Sequence, residues 1–202
     1  MTTRSTTLTR ATGRALRHLA FLVVAVCTLV TPARAQDADA TGTRRKPQPI
    51  VLTIDVAENF TKFVPTLVKP EDTQPERGSF FVTEGRVFPA GTIQGDGAQF
   101  DPNRSGHVGV WFCRGTHLVA GSEIPAAPLW VDTAQLYILG RQGKEQLATE
   151  GLEGSGTVTR IVTGGAGNFA GWTGEQRQTF LGFNPTGGVN LRVTFTLRPP
   201  AR

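Results

Sequence analysis

Three groups of polar residues set among apolar neighbours are the first places to look for chemistry. Read as an extended chain, Ser79–Phe88 puts Glu84 and Arg86 on one face with Phe80, Val82 and Phe88. Gly106–Arg114 groups His107 and Cys113 with Trp111, and Leu129–Leu139 groups Gln135 and Tyr137 with Val131 and Leu139. A carboxylic acid held among apolar side chains has its pKa raised and can serve as a general acid or base. Glu84 is therefore the first catalytic candidate, with Tyr137, the single tyrosine of the chain, beside it. Arg86 can anchor a carboxylate or phenol, and Phe88, His107, Trp111, Cys113 and Gln135 complete the expected ligand-binding set. A plainer reading stands next to each: Glu84 and Arg86 as a solvated surface pair, and Tyr137 as a core aromatic with a satisfied hydroxyl.

Other chemistries find less support. A nucleophilic cysteine needs a general base within reach. His107 lies six residues from Cys113, about 20 Å along a strand at ~3.3 Å per residue. His117 follows a glycine and can fold back, but a buried, inert thiol is the better reading of Cys113. No Cys/His or carboxylate spacing suits zinc, so no metal is expected. The G-x-S-x-G elbow of the serine hydrolases does not occur, and "EGSGTV" reads as a turn. Asp132, Glu150, Glu153 and Arg160 can also reach a pocket or its mouth.

The elements that must position these residues are strands. From Ile50 onward, short alternating segments rich in Val, Thr, Phe and Ile end in Gly, Pro or Asn, and no helical period is sustained. Eight strands are expected, at about Ile50–Val56, Ser79–Phe88, Gly106–Arg114, Leu129–Leu139, Glu145–Leu152, Gly156–Val162, Gly174–Gly182 and Gly188–Arg198. In the last, Val189, Leu191, Val193, Phe195 and Leu197 share one face over ten residues. Thr61–Gly78 carries three prolines and reads as a long loop or edge excursion. Eight antiparallel strands can close into a barrel, which removes sticky edges and can leave an internal cavity. A two-sheet sandwich is the competing all-β architecture.

"TGGAGNFAGWTGE", Thr163–Glu175, poses the question of phosphate binding. Gly165, Gly167 and Gly171 give G-x-G-x-x-x-G, one residue off the dinucleotide spacing, and a strand pattern follows where a helix start is required. No nucleotide cofactor is expected. Glycines at this density suit a sharply bent hairpin or barrel corner, with Phe169 plugging the bend from inside and Trp172 beside it.

Residues 1–35 differ from the rest. A basic start without acids, the apolar run Leu19–Val30 and "ARA" at Ala33–Ala35 read as a signal peptide cleaved near Ala35. Its apolar run is short for a membrane span, so stable membrane insertion is not expected. The chain has 21 basic and 16 acidic residues, but five arginines lie in this segment. Without them, basic and acidic residues balance, so the charge gives no support for a nucleic-acid partner. Cys27 leaves with the signal, and Cys113 alone cannot form an internal disulfide. Residues 36–49 read as a disordered linker, 50–198 as the folded domain and 199–202 as a tail. The mature chain is expected to be secreted, to the periplasm or beyond.

"IVTGGAGNFAGWTGE" resembles the glycine signature of the allene oxide cyclase and dirigent barrel families. "FFVTEGRVFPAGTI", "GVWFCRGTHL", "AQLYILG" and "TEGLEG" also resemble bacterial secreted members of that superfamily, so the likeness runs from about Ile50 to Leu197. It implies an eight-stranded antiparallel β-barrel with a largely apolar cavity, a homotrimer, and no metal or cofactor. Allene oxide cyclases close a ring in an unstable fatty-acid epoxide, and dirigent proteins steer coupling or cyclisation of phenolic intermediates. The cyclase catalytic residues match no local motif here, so none is carried over.

Three functions remain open on the sequence. The barrel binds a small hydrophobic molecule and steers its cyclisation or coupling, as a cofactor-independent isomerase or dirigent-like protein; or it is a non-catalytic carrier; or it is a structural module packed solid. Steering needs a cavity with a polar cluster, carriage needs a dry cavity, and a structural module needs neither.

Overall fold

The structure, a computed structural model, describes residues 48–200 apart from 67, 69–73 and 141. The expected signal peptide and its cleavage near Ala35 lie outside the described residues, as do most of the linker and the end of the tail. The strands are β1 Ile50–Glu58, β2 Val64–Thr66, β3 Phe80–Pro89, β4 Gly109–His117 and β5 Leu129–Leu139. They continue with β6 Glu145–Gly154, β7 Thr157–Ala166, β8 Thr173–Phe183 and β9 Val189–Arg198.

Eight of these strands form a closed antiparallel barrel in the order β1-β9-β8-β7-β6-β5-β4-β3, sealed by a β1–β3 pairing that sets Ile54 opposite Pro89 and Glu58 opposite Gly85. The sandwich alternative is excluded by that seam. β2 is an annex: it holds Pro65, pairs only with β3, and lies within the segment expected as an edge excursion.

Period-two alternation decides what fills the barrel. In β9, Leu191, Val193, Phe195 and Leu197 are all buried on the inner face, with Val189 half-buried at the end. They meet Ile54 and Val56 of β1, Trp111 of β4, Tyr137 of β5 and Leu147 of β6 in one cluster. Closure leaves no edge strand exposed apart from the annex, and a continuous apolar interior is what stabilises the fold.

The glycine stretch is a corner. After β7 the chain makes a 3-10 turn at Gly167–Phe169, and Phe169 and Trp172 pack half-buried against the core cluster. Gly167 sits at φ +65°, and a Cβ there would lie 2.4 Å from the Lys144 carbonyl oxygen. Only glycine combines that backbone with that approach. No helix start follows, so the stretch offers no phosphate cradle.

A second, smaller core lies outside the barrel wall. The segment 90–108 crosses the outer face of β1, β3 and β9, where Ala57, Phe88, Ile93 and Phe100 bury one another. Asp55, fully buried, holds the segment down: its carboxylate accepts from Ile93 N–H at 2.9 Å and from Arg192 Nε at 2.9 Å. Asn190 donates to the carbonyls of Asp96 and Gly97. Residues on the outward face of β1 and β9 are thus buried without lining the interior.

Candidate functional site

The inner faces become polar toward one end of the barrel. Alternation continues from Leu52, Ile54 and Val56 to Glu58 in β1, and from Leu147 and Thr149 to Glu153 in β6. β8 contributes Gln176 and Gln178, β5 contributes Thr133 and Gln135, and β7 contributes Arg160. All are buried, so each polar atom needs a partner.

Most find one in a network centred on Glu153. Its Oε1 accepts from Thr133 Oγ1 at 2.5 Å and Gln135 Nε2 at 2.8 Å, and its Oε2 accepts from Gln178 Nε2 at 3.0 Å. Arg160 Nη1 stands 3.7 Å away and donates to the carbonyl oxygens of Gly151 at 2.7 Å and Leu152 at 3.2 Å. Arg160 Nη2 donates to Thr133 O at 2.9 Å. In each of these side-chain hydrogen bonds Glu153 accepts. Behind it, Tyr137 donates to Gln135 Oε1 at 2.5 Å and accepts from Gln176 Nε2 at 2.9 Å.

Glu58 is held apart from this network. Its Oε1 accepts from Thr83 Oγ1 at 2.7 Å and its Oε2 from Val189 N–H at 2.8 Å. Burial raises its pKa and outweighs these two hydrogen bonds; the charge of Glu153 adds to the rise.

Between the two carboxylates opens a cavity of about 270 Å3. Its polar floor is Glu58, Thr83, Cys113, Glu153 and Gln178, with His117 at the side. Its walls are two aromatic clusters. On one side Phe60, Phe63 and Phe81 stack in series, with centroids 4.7 and 5.1 Å apart, and His117 leans on Phe81 at 5.3 Å. On the other, Trp130 contacts Phe180 and Phe183 at 5.3 and 6.3 Å. Phe60 and Phe183 at the rim are 44% and 50% exposed, an unusual display of apolar surface around a concave site.

The sequence candidates divide sharply. Trp111 and Cys113 line the cavity. Gln135 and Tyr137 point inward but lie below the floor, within the Glu153 network. Burial pushes the Tyr137 hydroxyl well above its usual range, so it stays protonated as a hydrogen-bond relay. Burial, reinforced by Glu153, likewise keeps the Cys113 thiol protonated; its Sγ lies 3.6 Å from Glu153 Oε1. The thiolate is the nucleophilic form, and burial together with the charge of Glu153 disfavours it.

Glu84, Arg86 and Phe88 are on the other side of the wall. The inner face of β3 carries Phe81, Thr83 and Val87, while Glu84 and Arg86 alternate outward. Glu84 forms an ion pair with Lys62 on the surface. Arg86 Nη1 contacts the ring of exposed His107, which precedes β4 and does not share its inner face with Cys113. Phe88 packs edge-on to Phe100 at 5.0 Å, beneath the outer segment. The expectation that Glu84, Arg86 and Phe88 line the barrel cavity is therefore corrected: they alternate outward, and the inner face of β3 is the one that holds Phe81, Thr83 and Val87. Asp132 and Glu150 also point outward, whereas Glu153 and Arg160 point in.

Glu58, Thr83 and Gln178 escaped the sequence reading. The signal for Glu58 was present: it extends the inner alternation of β1 by one step beyond Val56. Among the described residues, no group of three or more His, Cys, Asp or Glu side chains is placed to hold a metal ion.

No family model matches the chain, and no curated protein matches it in sequence. Solved structures do. The pterocarpan synthase dirigent protein PsPTS1 superposes with TM-score 0.56 at 12% identity, over 78% of this chain and 99% of that one. The pterocarpan synthase dirigent protein GePTS1 gives 0.53 at 12% identity, over 76% and 89%. A pyocyanin demethylase gives 0.49 at 14% identity, over 74% and 100%. The chain has the closed eight-stranded barrel fold of the dirigent and allene oxide cyclase type.

Proposed function

We propose that this barrel binds a small, largely apolar molecule in its end cavity and steers the cyclisation or coupling of that molecule without a cofactor. One observation carries the reading: a cavity of about 270 Å3 with aromatic walls whose floor brings together two carboxylates, Glu58 and Glu153. A barrel packed solid would have neither the space nor the buried charge. The volume is just below the range of about 300–1,000 Å3 usual for small-molecule sites. The fold shared with two pterocarpan synthase dirigent proteins agrees with this reading.

The mechanism follows from the floor. Aromatic walls restrict a flexible molecule to one folded conformer, which brings its reacting atoms together before any bond changes. Glu58, whose pKa burial raises, delivers a proton to an oxygen of the bound molecule. Glu153, fixed by three side-chain donors, faces the positive charge that develops and receives a proton when the ring has closed. One proton enters and one leaves, so the reaction is an isomerisation. Secretion after cleavage near Ala35 is part of the same proposal, because a signal segment directs such a barrel toward small molecules outside the cell.

The test is stereochemical. Wild type and Glu58→Gln are given flexible phenolic substrates that close rings in solution to racemic product. Wild type is expected to yield one enantiomer in excess, and Glu58→Gln to lose that excess while still binding substrate by calorimetry. Binding with racemic product throughout would leave a carrier; absence of binding would remove the ligand altogether.

A further inference from the structure

His117 carries two buried ring nitrogens, and neither has a hydrogen-bond partner among the described residues. The residue is 5% exposed and lines the cavity. Its backbone is fixed, with N–H donating to Ser79 O at 2.9 Å and C=O accepting from Gly78 N at 2.8 Å. The ring rests against Phe81 in the cavity wall. Orphaned polar atoms at this depth are rare in folded proteins and call for an explanation. The residue that carries them lines the cavity. Burial lowers the His117 pKa from its ordinary 6.5, so the ring is neutral at neutral pH, with one N–H donor and one lone pair. A hydroxyl group, both donor and acceptor, is its natural complement.

The charge of the cavity narrows the ligand further. No lysine or arginine stands among its described lining residues, and its two acidic side chains are Glu58 and Glu153. The nearest buried cation, Arg160, directs its terminal nitrogens at three backbone carbonyls and does not line the cavity. An anionic ligand would meet like charge in a desolvated site and find no counter-ion there.

We infer that the cavity selects an uncharged, hydroxyl-bearing aromatic or polyene molecule, with its hydroxyl docked on His117 and carboxylate-bearing analogues excluded by Glu153. The inference rests on the reading that the cavity binds a small apolar molecule, and His117 becomes its specificity-determining residue.

Three probes of one shape separate the elements of the proposal: naphthalene, 2-naphthol and 2-naphthoate, with binding measured by calorimetry at pH 7 on the full chain. The affinity ratio of 2-naphthol to naphthalene is expected to fall about tenfold in His117→Phe, the size of one lost hydrogen bond to a buried group. His117→Gln, which keeps a donor and an acceptor, is expected to retain most of the ratio. In wild type, 2-naphthol is expected to shift the His117 ring 15N resonances and naphthalene to leave them in place, a readout that needs no variant to fold. 2-Naphthoate is expected to bind at least about tenfold more weakly than 2-naphthol, and Glu153→Gln to relieve that penalty. An unchanged ratio in His117→Phe, or silent ring nitrogens, overturns the role of His117 and leaves the cavity reading standing. Equal binding of 2-naphthoate and 2-naphthol overturns the exclusion of anions. If none of the three probes binds, the cavity reading fails together with the inference.

Discussion

Glu58 and Glu153 enter one cavity from opposite walls of the barrel: counted either way around the sheet, four strand steps separate β1 from β6. They share no hydrogen-bond donor. Glu58 leans on Thr83 and the Val189 amide, and Glu153 on Thr133, Gln135 and Gln178. Two carboxylic acids in different environments are how one site supplies both a proton donor and an acceptor. Arg160 biases the pair toward this division, since it stands beside Glu153 and no described cation stands beside Glu58.

The pH dependence of stability should expose Glu58. Its pKa is raised above its ordinary 4.5 in the folded state, so the folded protein holds the proton more tightly than the unfolded chain. The stabilisation from this group is complete below about pH 4.5 and is lost as pH rises through the folded value. Glu58→Gln removes the titration and keeps an acceptor for one of its two donors. The melting temperature of the variant, relative to wild type, is expected to climb between pH 4.5 and neutrality. A difference flat across that range would mean that Glu58 does not carry its proton up. Turnover, where a substrate is found, is expected to fall about 10²–10³-fold at neutral pH.

Arg160 should matter more to folding than any surface charge. Its side chain is fully buried, and its removal leaves Glu153 without that cation and takes one donor from each of three backbone carbonyls. Breaking one side of such a pair costs about 3–5 kcal/mol. Arg160→Met is expected to lower the melting temperature by about 10 °C, at about 2–4 °C per kcal/mol for a domain of this size. A loss within about 2 °C would show that the network relaxes around the gap.

The parts of this arrangement that were legible from sequence are those with one apolar face. β9 is such a strand, and its inner residues follow directly from the alternation of Val189, Leu191, Val193, Phe195 and Leu197. Leu129–Leu139 carries Leu136 and Ile138 on its other face, yet Gln135 and Tyr137 point inward with Val131, as grouped by the alternation. β3 is different. Phe80 and Val82 on one face compete with Phe81 and Val87 on the other, although Phe80 and Val82 are exposed and only Phe88, at the far end of that face, is covered by the segment 90–108. Large apolar residues on both faces of a strand leave no period in the sequence to decide its facing. Glu58 was missed for another reason: a boundary drawn at Val56 ended the strand two residues before its functional side chain.

Exchange on the outer wall is expected to be quiet. Glu84 and Lys62 form an ion pair with side chains 31% and 51% exposed. Pairs of this kind contribute about 0–1 kcal/mol. Glu84→Gln is expected to leave ligand binding unchanged and stability within about 1 kcal/mol of wild type, measured by urea denaturation. A loss of turnover in this variant would return Glu84 to the site and remove Glu58 as the acid.

The corner at Gly167 should be intolerant of any side chain. Its φ of +65° disfavours other residues, and a Cβ would press on the Lys144 carbonyl at 2.4 Å. Gly167→Ala is expected to cost at least about 1–2 kcal/mol, with the cost felt where Phe169 and Trp172 close that end of the core. Gly156, where a Cβ meets open space, is the control, and alanine there is expected to be close to neutral. Equal effects at the two positions would mean that the corner rebuilds itself.

Cys113 should be silent toward electrophiles until the barrel opens. Two physical causes act together: burial disfavours the thiolate, and the neighbouring charge of Glu153 opposes it further. The thiolate is the reactive form, so a thiol whose pKa stands well above its ordinary 9.0 alkylates slowly even when a small reagent reaches it. Full chain carrying Cys27→Ser leaves Cys113 as its single thiol. Iodoacetamide labelling followed by mass spectrometry at pH 8 is expected to run at least about 100-fold slower in native protein than in urea, because modification waits on opening of the structure. Glu153→Gln is expected to speed native labelling by removing one of the two causes. Rapid labelling of the native wild-type chain would undo the protonated-thiol reading.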